Sequence, residues 1–108
     1  LNSVTADELA GLNGSKDYKI VDVREPTEFE AEHVEDAIEY PLDFINEHLS
    51  DLSKSDKLYI HCKSGYRSVI ASSILMKHGY MDLIDVKGGM QAIEKTNIPL
   101  TAYACPNS

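Results

Sequence analysis

The chain has 108 residues, with 43% hydrophobic and 26% charged positions, and 18 Asp+Glu against 10 Lys+Arg leave a formal net charge of −8. That length suits one hydrophobic core and not two, and nowhere does the chain approach the roughly 20 apolar residues of a membrane span or the basic-then-apolar opening of a signal segment. The acidic balance excludes a domain that binds nucleic acid over its whole surface, because that binding needs clustered Lys and Arg.

Thr5-Ala6-Asp7-Glu8 reads as a capping box, with Leu9 and Leu12 on the apolar face of a short helix ended by Gly11 or Gly14. Tyr18–Arg24 carries Ile20, Val21 and Val23, a β-branched run suited to a buried strand. Pro26 stands at a first helical position, and a short helix follows over Thr27–His33. Ala37–Pro41 predicts a brief strand. Asp43 then caps a helix through Leu52, with Phe44, Ile45, Leu49 and Leu52 at helical spacing. Lys57–Cys62 is the next strand. Ser68 to about His78 reads as a helix with Val69, Ile70, Ser73, Ile74 and Met76 toward the sheet, closed by Gly79. Leu83–Val86 is the last strand, and Gly88-Gly89 turns into a helix over Met90–Lys95. Ile98-Pro99 leads to a polar tail over about 101–108. Strands alternating with helices predict an α/β fold with a mostly parallel sheet.

Cys62 and Cys105 are too few for a disulfide framework, so a reduced, cytoplasmic setting is expected. No CxxC or HExxH occurs, and no two of His33, His48, His61 and His78 stand at ligand spacing. A metal site is therefore not expected, nor is a cofactor. The charge is uneven. Residues 1–56 hold 15 acids and four bases, net −11, whereas residues 57–108 hold three acids and six bases, net +3.

Three of those six bases, Lys57, Lys63 and Arg67, lie on or beside the segment His61-Cys62-Lys63-Ser64-Gly65-Tyr66-Arg67-Ser68. It runs from strand to tight loop to helix, and Cys62 falls at a strand's carboxyl end, where open α/β sheets place their sites. A strand-end cysteine by itself reads as a small buried hydrophobe. This one precedes a helix N-terminus and sits beside cations, the surroundings that lower a thiol's pKa. Gly65 permits a loop whose backbone N–H groups turn inward as an anion nest. Cys62 is accordingly the candidate nucleophile, and Lys63, Ser64, Gly65, Tyr66, Arg67 and Ser68 are the candidate binding loop. His61 points to the opposite face of the strand and reads as a packing residue. Glu25 and Glu28 read as a helix-start face. His33 reads as a structural hydrogen-bonding histidine, and Cys105 as an incidental thiol.

Four blocks carry a resemblance that extends over nearly the whole chain. They are Asp22-Val23-Arg24-Glu25-Pro26 with Glu28-Phe29, His33-Val34 with Ala37, Cys62 to Arg67, and Val86-Lys87-Gly88-Gly89-Met90. In order and at these separations they resemble the rhodanese-like sulfurtransferase family. Glu32 replaces a family glycine, Glu35-Asp36 replace a Pro-Gly or similar pair, and Ile93 stands where the family usually has Trp. The resemblance implies a rhodanese-like three-layer fold, a five-stranded, mainly parallel sheet with helices on both faces, occupying residues 1–108 as a single domain. It implies transfer of a sulfane sulfur from a small anionic donor, thiosulfate or a low-molecular-weight persulfide, through a Cys62 persulfide to a thiol or cyanide. In that scheme Arg67 closes the loop and orients the donor, while Asp22 and Arg24 buttress the loop from below.

Two other functions remain open. One is a phosphatase or arsenate reductase on the same fold; the count from Cys62 to Arg67 is six residues, and the related cell-cycle phosphatases have a longer loop. The other is a sulfur-carrier or regulatory module of a larger persulfide-handling protein. The chain opens on Leu1 without a start methionine, which is consistent with excision from a longer chain and a fused domain or acceptor protein as partner. Neither nucleic acid nor a membrane is an expected partner.

Overall fold

The computed structural model describes residues 2–12, 18–64 and 66–102. In chain order its elements are β1 (Asn2–Val4), α1 (Ala6–Ala10), β2 (Tyr18–Asp22), α2 (Pro26–Ala31), β3 (His33–Val34), β4 (Ile38–Glu39), two 3-10 segments (Leu42–Glu47 and Leu49–Asp51), β5 (Lys57–His61), α3 (Arg67–Lys77), β6 (Leu83–Val86), α4 (Gly89–Ile93) and β7 (Leu100–Thr101). Five strands form one sheet in the order β1-β6-β5-β2-β4, and every neighbouring pair is parallel. Strands β3 and β7 make a separate antiparallel pair.

The alternation of side chains along each strand divides the core into two layers. Leu58, Ile60 and Cys62 pack on one face with Val21, Val23, Ala71, Leu75 and the 3-10 residue Ile45. Tyr59, Ile84 and Val86 pack on the other with Ala6 and Leu9 of α1 and Met90 and Ile93 of α4. Helices thus cover both faces, giving the three-layer α/β architecture that the resemblance implies. Ile93 is fully buried, so an aliphatic side chain fills the place where the family usually has Trp.

Several local expectations need correction. Residues 43–52 do not form an α-helix; Pro41, with no side-chain cap, precedes a 3-10 segment, and a second one follows His48. Only Ile45 of the first segment is buried and Phe44 is exposed, so the apolar stripe expected at helical spacing is not formed and short 3-10 turns stand in its place. Helix α3 buries Ser68, Ala71, Ser72 and Leu75. Val69, Ile70 and Met76, expected to face the sheet, are exposed, as is Ser73, and only Ile74 of that set packs against the core. The buried stripe has helical spacing but mostly small residues, which lets α3 lie close to the sheet. The helix that begins at Pro26 ends at Ala31, and His33 belongs to a strand. Thr101, assigned to the polar tail, pairs with His33.

Thr5 caps α1 as expected, accepting from the Glu8 N–H while the Glu8 carboxylate accepts from the Thr5 N–H. The acidic turn after β3 puts Asp36 at φ 69°, a left-handed conformation that Asp tolerates better than most non-glycine residues. Gly14 and Cys105 lie outside the described residues.

Candidate functional site

Cys62 follows the last residue of β5 and is 1% exposed. Its backbone is held from two sides. The Cys62 carbonyl accepts from the Met90 N–H at 2.7 Å, and the Lys63 carbonyl accepts from the Gln91 N–H at 3.0 Å. These bonds bring the start of α4 onto the loop, and glycine makes the approach possible. A Cβ on Gly89 would sit 2.3 Å from the Cys62 carbonyl oxygen, and both Gly88 (φ +80°) and Gly89 (φ +54°) occupy the left-handed region.

The Cys62 thiol donates to Ser68 Oγ at 3.7 Å, and the Ser68 hydroxyl in turn donates to Asp85 Oδ1 at 2.5 Å. All three side chains are buried. Lys63, Ser64 and Tyr66 are exposed, with Tyr66 at 76%. Gly65 lies outside the described residues. Arg67 opens α3 and makes a bidentate ion pair with Glu28 of α2, at 2.8 and 3.2 Å. The pair holds the Glu28 carboxyl below its ordinary value, and the same bond raises Arg67, with Cys62 adding a smaller electrostatic contribution. A small pocket of about 50 Å³ lies beside Arg67, between Arg24, Glu25, Asp43 and Phe44.

Asp22 and Arg24 form a buried pair behind the site. Asp22 accepts from Arg24 Nε and from Nη2 at 2.8 Å, and Arg24 Nη2 also donates to the Glu32 carbonyl at 2.7 Å. The pair ties the end of β2 to the end of α2. Next to the pair, the Val23 N–H donates to the His61 carbonyl, one residue before Cys62. His61 faces Asp22 across the β2–β5 register. Its Nδ1 is 3.1 Å from the Cys62 carbonyl, which only accepts, so Nδ1 carries the proton. The other ring nitrogen is buried without a hydrogen-bond partner, 3.7 Å from Asp22 Oδ2. Burial pushes the imidazole below its ordinary value, and Asp22 and the Cys62 carbonyl pull the other way. His61 is therefore a neutral packing residue. His33 stacks on Phe29 at 3.8 Å, with its Nδ1 2.6 Å from the Phe29 carbonyl.

The structure thus brings Cys62, Arg67 and Ser68 together. It adds Glu28 and Asp85, which sequence reasoning did not place at the site. The model of the rhodanese-like domain matches residues 5–96. The chain belongs to that family. A protein from Allochromatium vinosum named sulfurtransferase is 30% identical over 103 residues, covering 94% of this chain and 96% of its own. A putative sulfur carrier protein from Bacillus subtilis, YrkF, is 32% identical over 80 residues, and the match spans 74% of this chain but 43% of that protein. The crystal structure of a rhodanese-like domain protein from Staphylococcus aureus superposes with a TM-score of 0.84 at 31% identity, covering 96% of this chain and 100% of that one. Family membership and these relatives support sulfur transfer, in general, as the chemistry of this rhodanese domain. Among the described residues, no helix is long and apolar enough to cross a membrane, and no group of three or more His, Cys, Asp or Glu side chains is placed to hold a metal ion.

Proposed function

We propose that this rhodanese domain is an enzyme that takes a sulfane sulfur from thiosulfate or a low-molecular-weight persulfide onto Cys62 and passes it to a thiophilic acceptor. In the first step the Cys62 thiolate attacks the outer sulfur of thiosulfate. The new S–S bond forms as the old one breaks, and sulfite leaves with the electron pair. In the second step cyanide or a thiolate attacks the terminal sulfur of the Cys62 persulfide, and the Cys62 thiolate is regenerated.

The observation that carries this reading is the position of Cys62, between the carboxyl end of β5 and the start of α3, where Arg67 stands. An 11-residue helix places partial positive charge at that end. In this reading the backbone amides of Lys63 to Ser68 cradle the anionic sulfur, Arg67 orients the donor, Lys63 assists, and Asp22 and Arg24 brace the strand beneath. The domain works in the reducing cytoplasm, alone or fused to a partner that supplies or accepts sulfur.

Intact-protein mass spectrometry after thiosulfate treatment tests the assignment. One sulfur is gained by the unsubstituted chain and by Cys105→Ala, and none by Cys62→Ala. A gain that survives Cys62→Ala overturns it. The sulfur-carrier reading is favoured by the name of the Bacillus relative, and it predicts a stable persulfide without multiple turnovers on cyanide.

A further inference from the structure

The reading of Cys62 as sulfur carrier leaves the carboxylate two hydrogen bonds behind it without a task. Asp85 is 7% exposed and sits opposite Ile60 in the β5–β6 register. Its neighbours on β6, Ile84 and Val86, pack into the opposite layer, so Asp85 faces α3. A buried carboxylate is costly unless it is hydrogen-bonded, and an aliphatic residue would fill the same place without that cost. Here the bond comes from Ser68, at 2.5 Å.

The polarity of the chain from Asp85 to the sulfur follows from counting hydrogens. A hydroxyl has one hydrogen and two lone pairs. The Ser68 hydrogen is committed to Asp85, so Ser68 turns a lone pair toward Cys62. A lone pair accepts from a thiol across the 3.7 Å contact, and it has nothing to donate to a thiolate. A negative carboxylate one residue further on acts in the same direction.

We propose that Asp85 is a positioning residue that, through Ser68, holds Cys62 in its thiol form between turnovers and so opposes the ionising effect of the loop. The proposal rests on Cys62 being the reactive sulfur. Other charged and titratable groups also lie around Cys62 among the described residues. Arg67 at the start of α3 favours the thiolate and is itself paired with Glu28 of α2, with Glu25 nearby. His61 and Asp22 lie on the opposite face of the sheet, with Arg24 paired to Asp22, and Lys63 is exposed on the loop. The start of α4 contributes only backbone N–H groups from Met90 and Gln91. Asp85 is the acid that reaches the sulfur through one hydroxyl.

The test is the pH dependence of Cys62 alkylation by iodoacetamide, followed by mass spectrometry in a Cys105→Ser background, which needs no sulfur donor. Asp85→Asn lowers the midpoint by about one pH unit. The plateau rate falls roughly threefold, because a less basic thiolate is a poorer nucleophile. Asp85→Ser, smaller and also neutral, shifts the midpoint in the same direction. An unchanged or raised midpoint in either folded variant overturns the proposal. A third arm leaves Asp85 intact: near neutral pH the infrared spectrum shows a hydrogen-bonded S–H stretch that Cys62→Ala removes, and its absence overturns the proposal as well. If thiosulfate fails to load Cys62 while the midpoint shifts, the sulfur-transfer reading fails and this one stands; loading without a shift gives the reverse.

Discussion

Arg67 is engaged with Glu28, and in the proposed reaction that pair sets how strongly the site attracts an anionic donor. A guanidinium in a bidentate carboxylate pair is well placed but has much of its charge answered. Arg67→Ala therefore raises KM for thiosulfate and lowers kcat/KM about tenfold, equivalent to about 1.4 kcal/mol. Glu28→Gln keeps the shape and frees the charge, so KM for thiosulfate falls a few-fold. Steady-state kinetics with thiosulfate and cyanide checks both, and a rise in KM in the Glu28 variant contradicts the account. The residues legible in sequence at this scale were those adjacent along the chain. Cys62, Arg67 and Ser68 share one segment, and the Asp22–Arg24 pair spans two residues. Glu28 lies 39 residues from Arg67 and Asp85 lies 17 from Ser68, and no local pattern couples residues across such gaps.

At the scale of elements, α4 positions the loop by pressing its first turn onto the carbonyls of Cys62 and Lys63. Gly89→Ala places a methyl group into the Cys62 carbonyl and forces a left-handed backbone on alanine. It lowers stability by about 2 kcal/mol and slows sulfur loading. Gly11→Ala is its control: Gly11 has φ −66°, and a Cβ there would meet the Glu8 and Asp7 carbonyl oxygens at 3.4 and 3.8 Å, ordinary van der Waals contact, so the change is neutral or stabilising by about 0.5 kcal/mol. Urea unfolding of both variants measures the contrast, and equal midpoints contradict it. The Gly88-Gly89 turn, the capping box at Thr5 and the strands β2, β5 and β6 were readable because local chemistry decides them. The face of α3 was not. Val69, Ile70 and Met76 offer more apolar area than Ser68, Ala71 and Ser72, yet close packing on the sheet selects the small residues. The pairing of His33–Val34 with Leu100–Thr101 brings together segments distant in sequence, and two-residue strands leave no periodic signal.

At the scale of the whole molecule, acid should loosen the fold in two stages. His61 is buried and neutral, with its pKa lowered from 6.5. The unfolded chain then binds the extra proton, so the stabilisation is complete above about 6.5 and is lost as pH falls toward the folded-state value. Glu28, lowered from 4.5 by Arg67, adds a second and weaker loss below about 4.5, weaker because the pair is partly exposed to solvent. Urea midpoints fall between about pH 7.5 and about pH 5.5, and His61→Gln flattens that fall; a flat profile in the unsubstituted chain contradicts the assignment of a neutral His61. The acidic half of the chain, net −11, and the basic half, net +3, meet beside Cys62 through the Glu28–Arg67 pair. The most direct measurement of the central claim is the intact mass of the thiosulfate-treated chain. The account predicts a gain of one sulfur that Cys62→Ala abolishes and cyanide removes, and a gain retained by Cys62→Ala would contradict it.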